Sequence, residues 1–255
     1  MFNVSNISNS SCIGRALRAP LRMLPKQWNA RIMQGRLRGY RWNIGAGAHG
    51  FWLGTYEAQM QEVFAQTIRP SSVVFDLGAN AGFYSMLAAH LTGPSGQVLS
   101  FEPLPDNRDK ILHHIAINNF TNWRVIPFAV SDKIETASFV IGAHHSMGSL
   151  IGDKSGRTIT VQVTNLDSLC FEQGFPIPNC IKIDIEGAEV KALNGAARVL
   201  STARPTIILS THSQALQEES RSILEDKGYI VRSLNQKNIS TSDELIATPQ
   251  DGIPI

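Results

Sequence analysis

Five side chains that can hold a ligand or take a proton stand where apolar runs end. Asp76 closes "VVFD", Glu102 closes "VLSFE", Asp184 and Glu186 close "CIKIDIE", and His212 follows "TIILST". In an open α/β sheet the carboxyl ends of the strands surround one ligand crevice. Carboxylates there suit an ammonium or a hydroxyl, and an imidazole titrates near neutrality. The available chemistry is binding of a cationic or hydroxyl-bearing ligand, with proton removal close by.

The loop after Asp76 narrows the ligand. In "VVFDLGANAGFYSMLAA" the glycines are Gly78 and Gly82, spaced G-x-x-x-G. A dinucleotide fingerprint requires G-x-G-x-x-G, with the middle glycine admitting a pyrophosphate to the backbone. Asn80 holds that place, and no G-K-[ST] follows to make a phosphate loop. An acid at two successive strand ends without a phosphate cradle suits a cationic nucleoside, S-adenosylmethionine. Asp76 and the loop would face its methionyl end, and Glu102 its ribose hydroxyls.

Methyl transfer from a sulfonium leaves one demand on the protein, a base within hydrogen-bond reach of the acceptor. Glu186, His212 and Asp184 are the candidates. Glu189 stands at a helix start, where the dipole alone explains an acid. A metal held by Asp184, Glu186 and His212 is a competing use of the same residues, but the spacing gives no metal motif and none is assigned. His113 and His114 read as helix surface. His144 and His145 lie in a Gly/Ser-rich loop from which they could reach a substrate.

The elements that must position these groups alternate. Strands are expected at Val73–Asp76, Gln97–Phe101 and Arg124–Ala129, with helices between them. "TASFVIG" and "TITVQVT" alternate like the arms of an inserted β-hairpin. "CIKIDIEG" and "TIILST" resume the series. "YIVRSL" and "ELIATP", joined without a helix, predict a terminal antiparallel pair. The fold class is therefore α/β, with a mostly parallel sheet.

Ahead of the series lies a basic head. Up to Tyr56 there is no acid but eight Lys and Arg residues, so the net charge of +2 divides into +8 and −6. Residues 1–52 read as an extension, partly helical or poorly ordered, whose removal spares the cofactor site; residues 53–255 form the S-adenosylmethionine-binding domain. Ile13, Leu17, Leu21 and Leu24 at helical spacing, opposite Arg15, Arg18 and Arg22, suit an acidic membrane surface, a transit peptide, or an arm packed on the body. No nucleic-acid reading motif interleaves with the arginines. Three cysteines without C-x-x-C spacing read as free thiols, and no run is long enough to span a bilayer. A cytoplasmic protein is the expectation, with peripheral membrane contact through the basic head left open.

Taken in order, "VVFDLGANAGFYS", "SFEPLPDN", "VIPFAVSD" and "IKIDIEGAEVKALNGA" resemble the FkbM-type methyltransferases, with "LGTYE" as a lead-in. "DIEGAE" is the discriminating block. The resemblance implies a class I, Rossmann-like fold with a seven-stranded sheet. It also implies S-adenosylmethionine as cofactor and transfer, commonly to a hydroxyl, on sugars, polysaccharide units or natural-product intermediates. Asp76, Gly78, Asn80, Gly82 and Phe83 fall on its cofactor loop, Glu102 on its ribose acid, and Ala129, Val130 and Ser131 on the stretch near adenine. Aminopropyl transfer on the same scaffold and a non-catalytic nucleoside-binding module remain alternatives.

Overall fold

A computed structural model of the chain describes residues 20–141, 148–149, 157–234, 238–239 and 242–250. In order these form β1 (Asn29–Arg31), β2 (Arg41–Asn43), α1 (Gly50–Leu53), α2 (Ala58–Thr67), β3 (Val73–Leu77), α3 (Phe83–Thr92) and β4 (Gln97–Phe101). There follow α4 (Pro105–Asn118), β5 (Trp123–Ile126), β6 (Phe128–Val130), β7 (Glu135–Ile141), β8 (Gly148–Ser149), β9 (Arg157–Thr164) and α5 (Leu166–Phe171). The last are β10 (Cys180–Ile183), α6 (Glu189–Asn194), β11 (Thr206–Ser210), α7 (Gln214–Asp226), β12 (Tyr229–Ser233) and β13 (Glu244–Pro249).

The main sheet has seven strands in the order β12-β13-β11-β10-β3-β4-β5. β13 runs antiparallel to both neighbours, and the other pairings are parallel. The architecture is Rossmann-like, with the antiparallel β12–β13 pair at one edge. β3 follows the rule for strands covered on both faces: from Val74 to Leu77 every residue is buried. Chain order reverses between β3 and β10, and this switch point opens the crevice that open α/β sheets use for ligands.

Two differences from the expected elements have physical causes. The strand expected over Arg124–Ala129 is two strands: Pro127 offers no N–H, and the ladder changes sheet there. β5 stays at the edge of the main sheet, while β6 joins a four-stranded sheet, β6-β9-β7-β8. The arms β7 and β9 of the expected hairpin pair antiparallel within it, from Glu135↔Val163 to Ile141↔Arg157. His144 and His145 lie outside the described residues, as does Cys12. Cys170 and Cys180 are buried free thiols.

The core does not stop at Leu53. Ile32, Leu37, Trp42, Ile44 and Trp52 belong to the same apolar cluster as α3 and α4. The Trp42 ring stacks on His114 at 3.9 Å and meets Phe83 edge-on. His114 is thus no surface histidine. It is fully buried, Nε2 accepts from Asn43 N at 3.1 Å, and burial lowers its pKa to about 4. The helix expected over Ile13–Leu24 falls mostly outside the described residues; Pro20–Met23 is a single 3-10 turn.

Candidate active site

A cleft of about 960 Å³, measured to its open mouth, lies over the carboxyl ends of β3, β4 and β10. Its floor is the loop between β3 and α3. Gly78 takes φ +79°, and a Cβ there would stand 2.0 Å from the Asp184 carbonyl, so only glycine lets β3 and β10 approach this closely. Gly82 is equally constrained by the Trp123 ring. Asn80 carries no such clash but is held at φ +52° while its N–H donates to Glu102 Oε2 at 2.8 Å.

Asp76 is 1% exposed. Its Oδ2 ends a chain of donors in which Trp123 Nε1 donates to Ser100 Oγ, Ser100 to Ser85, and Ser85 to Asp76, at 2.5, 2.6 and 2.5 Å. Its Oδ1 has no hydrogen bond, only Lys182 Nζ at 3.7 Å. Burial pushes the Asp76 pKa up against the pull of Lys182 and Ser85. A buried polar atom without a partner is costly unless something else meets it. Here Asp76 lines a cleft.

Glu102 is 5% exposed and lines the same cleft. Both its oxygens accept backbone N–H groups, from Asn80 and from Leu104 at 2.9 Å. Burial nevertheless lifts its pKa to about 7. Lys182, from the middle of β10, is 3% exposed and donates to Asp184 Oδ2 at 3.1 Å. Burial works against its charge, but Asp184 and Asp76 outweigh that and hold its pKa above the ordinary value.

The rim is built by the turn after β10. Glu186 adopts φ +54° and Gly187 φ +104°. The strand ends at Ile183, and beyond it Asp184 and Glu186 both line the cleft. Such a conformation in a non-glycine residue costs about 1 kcal/mol or more and tends to persist where function needs it. Behind the turn His212 is oriented from below: its Nδ1 lies 2.7 Å from Oε1 of Glu189, which is wholly buried. Its Nε2 points toward Glu186 Oε2 at 3.4 Å and Asp184 Oδ1 at 3.6 Å. The Glu189 bond, with the other two carboxylates, raises the His212 pKa despite partial burial. Among the described residues no group of three or more His, Cys, Asp or Glu is arranged to hold a metal ion.

The wall facing the rim comes from the "LGTYE" region. Phe51, Tyr56 and Tyr84 line the cleft, and the Tyr84 hydroxyl donates to Glu57 Oε2. Burial raises both phenol pKa values, so they stand as neutral donors.

Of the residues singled out in the sequence, Asp76, Gly78, Asn80, Phe83, Glu102, Ala129, Val130, Asp184 and Glu186 line this cleft. Gly82 shapes its loop from behind. Ser131 and His212 do not line it: Ser131 N donates to Thr164 O, inside the smaller sheet, and His212 stands behind the rim. Lys182 and Glu189 were not assigned chemistry from sequence. A lysine inside the apolar run "CIKIDI" is the signal for the first. Glu189 had none, because an acid at a helix start has an ordinary explanation.

Residues 76–231 match the model of the methyltransferase FkbM domain. The chain is similar to hexuronic acid methyltransferase AglP of Haloferax volcanii, 23% identical over 60% of this chain and 61% of that protein. It is also similar to 31-O-demethyl-FK506 methyltransferase FkbM of Streptomyces tacrolimicus, 30% identical over 50% of this chain and 60% of that protein. The match thus spans about three fifths of each relative's length. A crystal structure of methyltransferase FkbM from Methylobacillus flagellatus superposes with a TM-score of 0.49 at 20% identity, over 78% of this chain and 52% of that one. With the family model matched across more than half its length, the chain belongs to the FkbM methyltransferase family.

Proposed function

We propose that this methyltransferase uses S-adenosylmethionine to methylate a hydroxyl on a sugar, glycan or natural-product intermediate. The observation that carries the cofactor is the pair of buried acids, Asp76 and Glu102, that line the cleft at the ends of two neighbouring strands. Asp76 would hold the ammonium of the methionyl end and Glu102 the ribose hydroxyls. Ala129, Val130 and Leu104 offer apolar walls for adenine. Bound there, the cofactor supplies a methyl group already activated on a sulfonium, so positioning accounts for much of the acceleration.

The protein's own work is to orient the acceptor and take its proton. The acceptor hydroxyl would enter from the cleft at the gap between Asp184 and Glu186, behind which His212 stands. Nε2 of His212 is too far from either carboxylate to bond it well. When His212 is neutral, its Nδ1–H donates to Glu189, which leaves the Nε2 lone pair facing the gap. Glu189 is then a positioning residue, in the way that an acid orients a general base in hydrolytic triads. The relatives support the acceptor class: one is named for a hexuronic acid and the other for an O-demethyl substrate.

Titration calorimetry with S-adenosylmethionine and S-adenosylhomocysteine tests the reading. Binding of both, lost in Asp76→Asn, is the expected outcome. A folded wild-type chain that binds neither would sink it.

A further inference from the structure

We propose that the outer face of the β1–β2 hairpin is a docking surface for a bilayer rich in acidic lipids. Register places Arg31 directly opposite Arg41 and Ala30 opposite Trp42. Trp42 packs inward on α4, so the two arginines share the outward face. Like charges facing each other across a strand pair are destabilising. Arg38 joins them in lining an open surface groove, closed by Asn118 and Asn119 and lined by no acid.

The fold gives these arginines little to bind. Arg36, in the same segment, pairs with Glu62 at 2.9 Å, but no described carboxylate pairs with Arg31, Arg38 or Arg41. The carboxyl end of α4 favours cations, yet its carbonyls at Ile115 and Ala116 are taken by backbone N–H groups of Phe120 and Asn119. Among the described residues, the only side-chain bond in the arginine group runs from Arg31 to the carbonyl of Gly39.

A soluble anion would satisfy the charge alone. A membrane also accounts for what brackets the hairpin. Trp28 and Met33 flank β1 and are 57% and 61% exposed, and Met23 is 86% exposed. An interfacial aromatic, flexible apolar side chains and unpaired arginines are the composition that seats a protein on acidic headgroups. The groove adjoins the carboxyl end of α4, whose amino end lies beside Glu102. The helix has 14 residues, so about 21 Å separates the two. The surface is therefore a tether, distinct from the cleft.

Co-sedimentation of the full chain with vesicles tests it. Vesicles of equal parts phosphatidylcholine and phosphatidylglycerol should bind the protein, vesicles of phosphatidylcholine alone should not, and raised salt should weaken binding. The triple variant Arg31→Gln, Arg38→Gln, Arg41→Gln should lose affinity roughly a hundredfold, and the single variant Arg38→Gln about fivefold, with melting no lower than in the parent chain. Trp28→Ala with Met33→Ala should also weaken binding. Failure to bind the acidic vesicles, equal binding to both kinds, or wild-type affinity in the triple variant would overturn the proposal. So would a preference for heparin or nucleic acid over acidic vesicles at matched charge.

Discussion

At the scale of single residues, charge and burial pull against each other throughout the cleft. Glu102 shows this most clearly. Its pKa is raised from 4.5 to about 7, so between those values the folded state holds a proton that the unfolded state has lost. Stability must then fall as pH rises through that window, by roughly 3 kcal/mol at most. Glu102→Gln should flatten this part of the unliganded protein's stability–pH curve in denaturant melts; an unchanged slope would assign it to another group. His212 has the same sense, from its bond to Glu189 and not from burial. Its raised pKa contributes stability that is complete below the unfolded value near 6.5 and is lost as pH rises through the folded one. Glu189→Gln should remove most of that contribution, so the variant's deficit should shrink with rising pH. Under the proposed mechanism, the ascending limb of its kcat–pH profile should also move to lower pH. A simple structural lesion would lower the rate without moving that limb.

Elements decide which residues meet. Gly78→Ala tests the tightest approach, since its φ of +79° and the Asp184 carbonyl both oppose a side chain. The substitution should cost more than about 1 kcal/mol in a melt and weaken cofactor binding together with stability. The order of strands and the acids at their ends were legible in sequence because apolar runs, glycine spacing and turn chemistry are local signals. The rim was legible only in part. Asp184 and Glu186 were readable as acids at a strand end, but not the left-handed turn in which Glu186 sits. Nor was the Glu189–His212 contact, which joins α6 to the end of β11 across 23 positions of sequence. Pro127 was a visible break in the run Arg124–Ala129, yet its consequence, a change of sheet, depends on β9 arriving beside β6.

Across the whole molecule, the boundary at Leu53 is the clearest departure from the sequence reading. Absence of acids marked the head as different in charge, and charge does not report packing. The apolar residues at 32, 37, 42 and 44 are spaced for neither a helix nor a strand, so their burial on α3 and α4 carried no periodic signal. Trp42→Ala should therefore cost about 3–5 kcal/mol in a denaturant melt, comparable to losing a central core aromatic. A neutral outcome would restore the picture of a detachable head. Removal of all residues before Leu53 should for the same reason unfold the cleft's wall, since Phe51 lines it directly. No helix among the described residues is long and apolar enough to cross a membrane.

The donor chain from Trp123 to Asp76 gives the protein its own optical gauge. The indole lies under 3 Å from where a Cβ on Gly82 would be, and its N–H drives two serines toward the carboxylate. If a cation binds at Asp76 as proposed, the charge at the end of that chain changes and Trp123 emission should shift, a response that Ser100→Ala should weaken.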